Sequence, residues 1–312
     1  MMNNTNRRFI NPINSAYEKE FWNALRKHQN FNTQEENVKL NDSSAHILPA
    51  AQANSYTEEL KKENFFRSLG TVIPMYESDY AVHMLATDAE PAWVEENAKI
   101  PEDEEILGNY KFGSHKLTSI AKIHIDLLAD HGFDFESWLL KKYAQRFGKA
   151  EVNAFVNGNG VNQPVGILAD NGGAEIGKTS NSSNITFDEV IELFHSVEPK
   201  LRDKAVWVMN DTTAFTLRTL KDSNGNYLWH PSSDKLLGKK VIICNAMPDI
   251  KSGAKPIAFG DFSFYWITER TPFAIRRLYE KYINSSYRGY VGVEHLDGKL
   301  IRPDAVKVLK IG

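Results

Sequence analysis

Cysteine is nearly absent: Cys244 is the only one in 312 residues. That excludes an internal disulfide framework and suits a reducing compartment. No apolar run approaches the roughly 20 residues needed to cross a bilayer, so no membrane partner is expected. The opening residues, MMNNTNRRFINPINS, lack the apolar centre of a signal peptide. No segment is strongly basic, and the formal net charge of −3 argues against a protein whose main task is gripping nucleic acid. A surface that lies near nucleic acid without holding it stays compatible with that balance. The common site signatures are missing too: C-x-x-C, H-E-x-x-H, G-x-S-x-G and the EF-hand loop do not occur.

Single residues do not replace those motifs. His124 and His131 are seven apart and share no helical turn, so they are not read as a metal pair. Cys244 sits in the apolar run Val-Ile-Ile-Cys and reads as a small buried hydrophobe. The glycine-rich stretch Asn157-Gly-Asn-Gly160-Val-Asn-Gln-Pro is followed by no Lys-Ser or Lys-Thr, so it reads as a structural turn. No catalytic residue, cofactor or metal is assigned, and the chain is not expected to be an enzyme.

What is present is an ordinary core-forming composition, 42% hydrophobic and 25% charged, with one anomalous stretch. Asp88 to Glu105 carries Asp88, Glu90, Glu95, Glu96, Glu102, Asp103, Glu104 and Glu105 against one base, Lys99. Pro91 and Pro101 forbid a continuous helix there. Lys111, Lys116 and Lys122 then turn the chain basic. The segment 88–122 reads as a long excursion, two extended arms with an acidic tip. A two-stranded ribbon is marginal in water, so it calls for cover from a neighbouring copy. A disordered acidic surface loop is the other reading.

Around it the pattern is regular. Ser15 to Glu18 has capping-box spacing, and Tyr17, Phe21, Trp22 and Leu25 share a helical face that ends near His28. A helix is expected around Ser55–Arg67, then a strand at Thr71–Met75. Lys116 to Ile125 alternates as a half-buried strand. Asp134 caps the longest helix, which runs to about Asn157, is roughly 35 Å long and is stopped by Gly158. From Thr186, itself a capping box, helices and strands alternate as a compact α/β unit. The remainder is strand-rich, with Asp297-Gly298 read as a hairpin turn and Ala305 to Ile311 as a final strand.

This order of parts resembles the Hong Kong 97-type major capsid proteins of tailed phages. The resemblance covers about Tyr17 to Ile311. Tyr17-Glu-Lys-Glu-Phe-Trp-Asn-Ala-Leu-Arg26 is similar to the family's N-terminal arm helix. Leu60 to Ile73 (LKKENFFRSLGTVI) is similar to the segment entering its peripheral (P) domain. Trp93-Val-Glu-Glu-Asn-Ala-Lys-Ile-Pro101 resembles its extended loop (E-loop). The helix ending in Asn153-Ala-Phe-Val-Asn-Gly-Asn-Gly160, with Gln163-Pro-Val-Gly-Ile-Leu168, is the most specific match. Lys221-Asp-Ser-Asn-Gly-Asn-Tyr-Leu228, Met247-Pro248, Ala258-Phe-Gly-Asp-Phe262 and Leu296-Asp-Gly-Lys-Leu300 follow in the family's order.

The resemblance implies an α+β chain with the Hong Kong 97-like capsid fold. Its expected parts are an N-terminal arm (1–50), a segment entering the P-domain (51–87), the E-loop (88–122) and the P-domain with its spine helix (123–170). A compact α/β axial (A) domain (171–262), P-domain strands (263–303) and a C-terminal strand (304–312) complete it. The implied function is a structural head protein of the virion, assembled in the host cytoplasm. Its partners would be itself, in pentamers and hexamers, and a separate scaffold, portal and maturation protease. It would enclose double-stranded DNA without reading its sequence. Contacts between copies fall to Trp93, Glu95, Glu96, Lys99, Glu104, Glu105 and Lys111. Only about sixty-five residues precede the core, without coiled-coil heptads, which suits a separate scaffold or a mature form. Lys99, Lys111 and Asn284 do not match the family's crosslinking pattern, and no crosslink is expected. An encapsulin-type nanocompartment shell shares the same fold, and a cytosolic hydrolase with scattered acid and base groups is the alternative of another class.

Overall fold

The computed structural model describes residues 15–26, 46–75, 80–85, 107–130, 132–180, 184–230 and 233–312. The first half contains α1 (Ser15–Arg26), β1 (His46–Ile47), α2 (Ala50–Glu63), α3 (Phe66–Leu69), β2 (Thr71–Pro74), β3 (Tyr80–Leu85), β4 (Leu107–Phe112), β5 (His115–His124), α4 (Ile125–Ala129) and α5 (Phe135–Asn157). The second contains β6 (Glu175–Ser180), α6 (Phe187–Ser196), α7 (Pro199–Arg202), β7 (Val206–Met209), α8 (Asp211–Arg218), β8 (Lys235–Leu236), β9 (Lys239–Ile243), β10 (Ile257–Gly260), β11 (Tyr265–Leu278), β12 (Tyr287–Leu300) and β13 (Val306–Ile311).

Two sheets carry the fold. In the first, β12 lies between β11 and β5, and β1 and β2 pair along the outer side of β11. Strands β11 and β12 are long, and register shifts at Glu269/Thr271 and Thr271/Ala274 bend the first of them. Pro272, which cannot donate to a ladder, sits within that irregular stretch. The second sheet runs β6-β13-β10-β7-β9-β8. Its central strands β7 and β10 are buried at every position, as sequence runs such as Val-Trp-Val-Met require.

The spine α5 joins the two. Asp134 accepts from the Ser137 amide at its start, and Gly158 follows its last turn. Its N-terminal half, from Phe135 through Tyr143 to Phe147, packs with α1, α2 and the first sheet. Its last turns place Phe155 and Val156 against Ile267 and Leu296 of the first sheet and Val208 and Val308 of the second. Gly148 lets α2 come close, since a Cβ there would lie 2.7 Å from the Glu63 Cβ. The α/β unit has its own core around Trp207, Phe259 and Leu193. The capping box at Thr186 and Glu189 is present.

Several expectations need correction. The helix expected around Ser55–Arg67 ends at Glu63. Asn64 turns extended, its Oδ1 accepts from the Phe66 amide, and a separate short helix follows. Asp297-Gly298 is no turn: both residues lie inside β12, opposite Thr268 and Ile267. Asp-Gly favours a turn only where no partner strand holds it extended, and here β11 pairs with both residues while β5 pairs with β12 up to Leu296. The strand at Lys116–Ile125 exists, but its partner along its whole length is β12. The two-stranded ribbon is instead β3 with β4, from Tyr80↔Phe112 to Leu85↔Leu107. The final strand is present as expected, at Val306–Ile311, and it sits between β6 and β10 in the sheet of the α/β unit.

Candidate intersubunit surface

The ribbon leaves the first sheet at a sharply defined root. Gly113 donates its amide to Asp297 Oδ2 at 2.8 Å, and the Gly298 amide donates to Oδ1 of the same carboxylate at 2.7 Å. His115 Nε2 stands 3.5 Å from that Oδ1. Asp297 is only 1% exposed, so two backbone amides and an imidazole supply what water would otherwise give a buried carboxylate. Beside the root, Met75, Phe112 and Ile301 form a small core with Tyr110 and Trp266 packed on it.

Of the seven residues expected to contact a neighbouring copy, Lys111 is described. It is exposed on β4. Its carbonyl accepts from Lys299 Nζ at 2.6 Å, and that ammonium also stands 5.8 Å from the Phe112 ring centre. The β4 strand is thus held to the sheet by backbone and packing, leaving the Lys111 side chain in solvent. Trp93, Glu95, Glu96, Lys99, Glu104 and Glu105 lie outside the described residues.

Among the described residues, exposed apolar side chains that sequence reasoning missed include groups at the β11–β12 turn and in the α/β unit. At the turn between β11 and β12, Tyr279, Ile283 and Tyr287 are 42%, 69% and 38% exposed. Lys122 Nζ lies 4.0 Å from the Tyr287 ring centre, and the His124 ring meets Tyr287 edge-on. In the α/β unit, Phe215 on α8 is 67% exposed, and the following loop exposes Tyr227 and Leu228. These residues read as ordinary core formers in the sequence. Their exposure depends on where the sheets end, which periodicity does not show.

The interior holds one dense ionic cluster. Arg67 sends Nε to Glu151 Oε2 at 2.7 Å and another N–H to Oε1, and a third N–H goes to Glu269. Asn64 donates to Glu151 Oε2 at 2.8 Å, and the Tyr56 hydroxyl donates to Glu294 Oε2 at 3.3 Å. Burial pushes the Glu151 carboxyl up, but Arg67 outweighs that and holds it below the usual carboxylate range. Glu294 goes the other way, raised well above that range by burial and then by the Glu151 charge. Cys244 is buried, and burial pushes its thiol up. Among the described residues no three His, Cys, Asp or Glu side chains gather to hold a metal, and no helix is long and apolar enough to cross a membrane.

The family model described as the phage capsid family matches residues 45–311. Solved structures agree in fold. The capsid of a native GTA particle, computed with C5 symmetry, is similar at TM-score 0.68 and 26% identity, over 91% of this chain and 96% of that one. The capsid of an empty GTA particle gives TM-score 0.69 and 27% identity over 90% and 94%. A chain from Microbacterium phage Oxtober96 matches in fold at TM-score 0.62 and 15% identity over 90% and 96%. A search of curated proteins found no match.

Proposed function

The chain belongs to the phage capsid family, and from that premise we propose that it is a major capsid protein whose copies form pentamers and hexamers and close into an icosahedral shell around double-stranded DNA. Its role is structural. The observation that carries this reading is the match to the GTA capsid over nearly the full length of both chains at 26% identity.

The geometry suits the task. A ribbon rooted on Asp297 and Gly113 projects from a rigid sheet, and a loop with eight acids and one base lies between its strands. Such a loop has its charge offset when it crosses a neighbouring copy. Heterologous contact of that kind closes into rings. Trp93, Glu95, Glu96, Lys99, Glu104, Glu105 and Lys111 are the contact residues of this reading. The exposed Phe215 and Tyr227 of the α/β unit add surface that a ring would cover. A net charge of −3 keeps the shell from trapping packed DNA. A separate scaffold, a portal and a maturation protease are the further partners, with assembly in the host cytoplasm and residence in the virion.

Electron microscopy of the purified protein with sedimentation velocity tests this. Closed shells, or rings of five or six, are expected. A homogeneous monomer at every concentration and salt, with a co-expressed scaffold as well as without, sinks the proposal.

A further inference from the structure

The ionic cluster ties four parts of the chain together. Arg67 and Asn64 come from the α2–α3 junction, Glu151 from the spine, Glu269 from β11 and Glu294 from β12. Counting the ion-paired groups exposes an imbalance: three carboxylates gather around the one guanidinium of Arg67, with Arg270 on the wall of the adjoining cleft. Glu269 is partly exposed, its side chain at 39%, and water screens it. Glu151 and Glu294 are 1% and 5% exposed. Glu151 is fully engaged by Arg67 and Asn64. Glu294 receives only the long Tyr56 hydrogen bond, and its Oε1 has no hydrogen-bond partner. Two buried carboxylates sharing one site cannot both ionise cheaply. A proton on Glu294 removes the excess charge and gives it a donor toward Glu151.

We propose that Glu151 and Glu294 share one proton, and that this proton is a latch holding the spine helix to the long strands of the first sheet. Removing it places a second full charge beside Glu151, with Arg67 already committed, and drives β12 and α5 apart. The raised Glu294 and lowered Glu151 agree with that division of the proton. Water has a route to it. A cleft of about 220 Å³ opens where β11 is irregular, and its walls include Glu294, Glu269, Arg67, Arg270, Tyr56 and His295. These, with Glu151 and the buried Tyr265, are the titratable and charged groups facing the pair. The His295 ring is held by Thr271 at 2.9 Å. The sign follows: for an acid whose folded affinity for the proton is raised, stability is full below the ordinary carboxylate range and is lost as pH rises through the folded value. The latch therefore opens on alkalinisation.

The latch lies within one chain, so its failure leaves the shell reading intact. Infrared spectra of the purified full chain, assembled or not, read the carbonyl band of a protonated buried carboxylic acid. The band should be present near neutral pH, fade as pH rises, and be missing in Glu294→Gln. In parallel, hydrogen exchange of the spine segment 143–157 should accelerate in the parent by up to about tenfold per pH unit beyond the intrinsic rise. In Glu294→Gln, whose amide stays neutral, that excess should vanish. No such band in the parent, a band that persists in Glu294→Gln, or the same excess exchange in both proteins overturns the proposal. Should Glu294→Gln not fold, the parent's band and exchange, followed together against pH, still decide it: the excess exchange should level off at the pH where the band fades, and a band that never fades, or excess exchange that continues past its loss, overturns it.

Discussion

The Gly113 amide points at the Asp297 carboxylate, 2.8 Å away, across a sequence separation of 184 residues. This contact fixes where the chain stops being sheet and becomes ribbon. Replacing Asp297 by Ala strands two amides, the part-buried one of Gly113 and the buried one of Gly298. The expected loss is about 1–3 kcal/mol. It should appear in thermal unfolding, with faster hydrogen exchange in 107–115. Unchanged exchange there would mean that the carboxylate does not hold the root.

Gly292 on β12 tests how tightly the spine sits on the sheet. A Cβ there would lie 2.7 Å from a Tyr143 ring atom and 2.9 Å from one of Phe273. Both rings are buried, and the Tyr143 hydroxyl donates to the Tyr290 carbonyl at 2.6 Å. The Tyr143 ring is held by that bond, and the Phe273 ring borders the cleft beside β11. Gly292→Ala should cost about 1–3 kcal/mol by overpacking. A neutral or stabilising result in denaturant unfolding would show that α5 moves freely over β12.

Much of this was legible in the sequence because local chemistry decided it. The caps at Asp134 and Thr186 stand where the spacing places them, since an N-cap needs only its own first turn. The spine's aromatic periodicity gave its length for the same reason. What periodicity does not contain is partner choice. Lys116 to Ile125 alternates correctly whether it pairs with its neighbour in sequence or with β12, 170 residues on. Asp297-Gly298 carries a turn signal that pairing with β11 overrides. The ionic cluster was invisible: Arg67, Glu151, Glu269 and Glu294 are spread over 228 positions, and each alone reads as a surface charge.

That cluster makes a sharp prediction about acid. In the parent, Glu151 is held below the ordinary carboxylate range, so the stability it contributes is present above that range. It is lost as pH falls through the folded value. Arg67→Met leaves Glu151 buried without its main partner, at an expected cost of about 3–5 kcal/mol near neutral pH. It also reverses the sign. Without the guanidinium, burial raises the Glu151 carboxyl, and stability should rise on acidification through the carboxylate range. Above that range both proteins should gain stability on acidification, the parent through Glu294; below it the parent's unfolding midpoint should fall with pH while that of Arg67→Met levels off. Parallel slopes below that range would show that the pair is not what couples this site to protons.

The acidic loop carries the remaining prediction, because it separates folding from assembly. Reversing Glu95, Glu96, Glu104 and Glu105 to Lys changes residues flanking Lys99 in a stretch with no other base. If the loop served only its own chain, stability would shift by no more than about 0.5 kcal/mol per surface site and association would be untouched. If it crosses a neighbour, the isolated chain should melt normally while shells and rings fail to form, since like charges juxtaposed at a contact cost several kcal/mol. Assembly of the parent should also weaken with salt, because exposed charges are screened over about 8 Å at physiological ionic strength. Sedimentation velocity of both proteins across a salt series decides this. Rings formed equally well by the reversed chain, at every salt, would remove the loop's charge from the intersubunit contact and leave its apolar residues, Trp93 above all, as the contact to test.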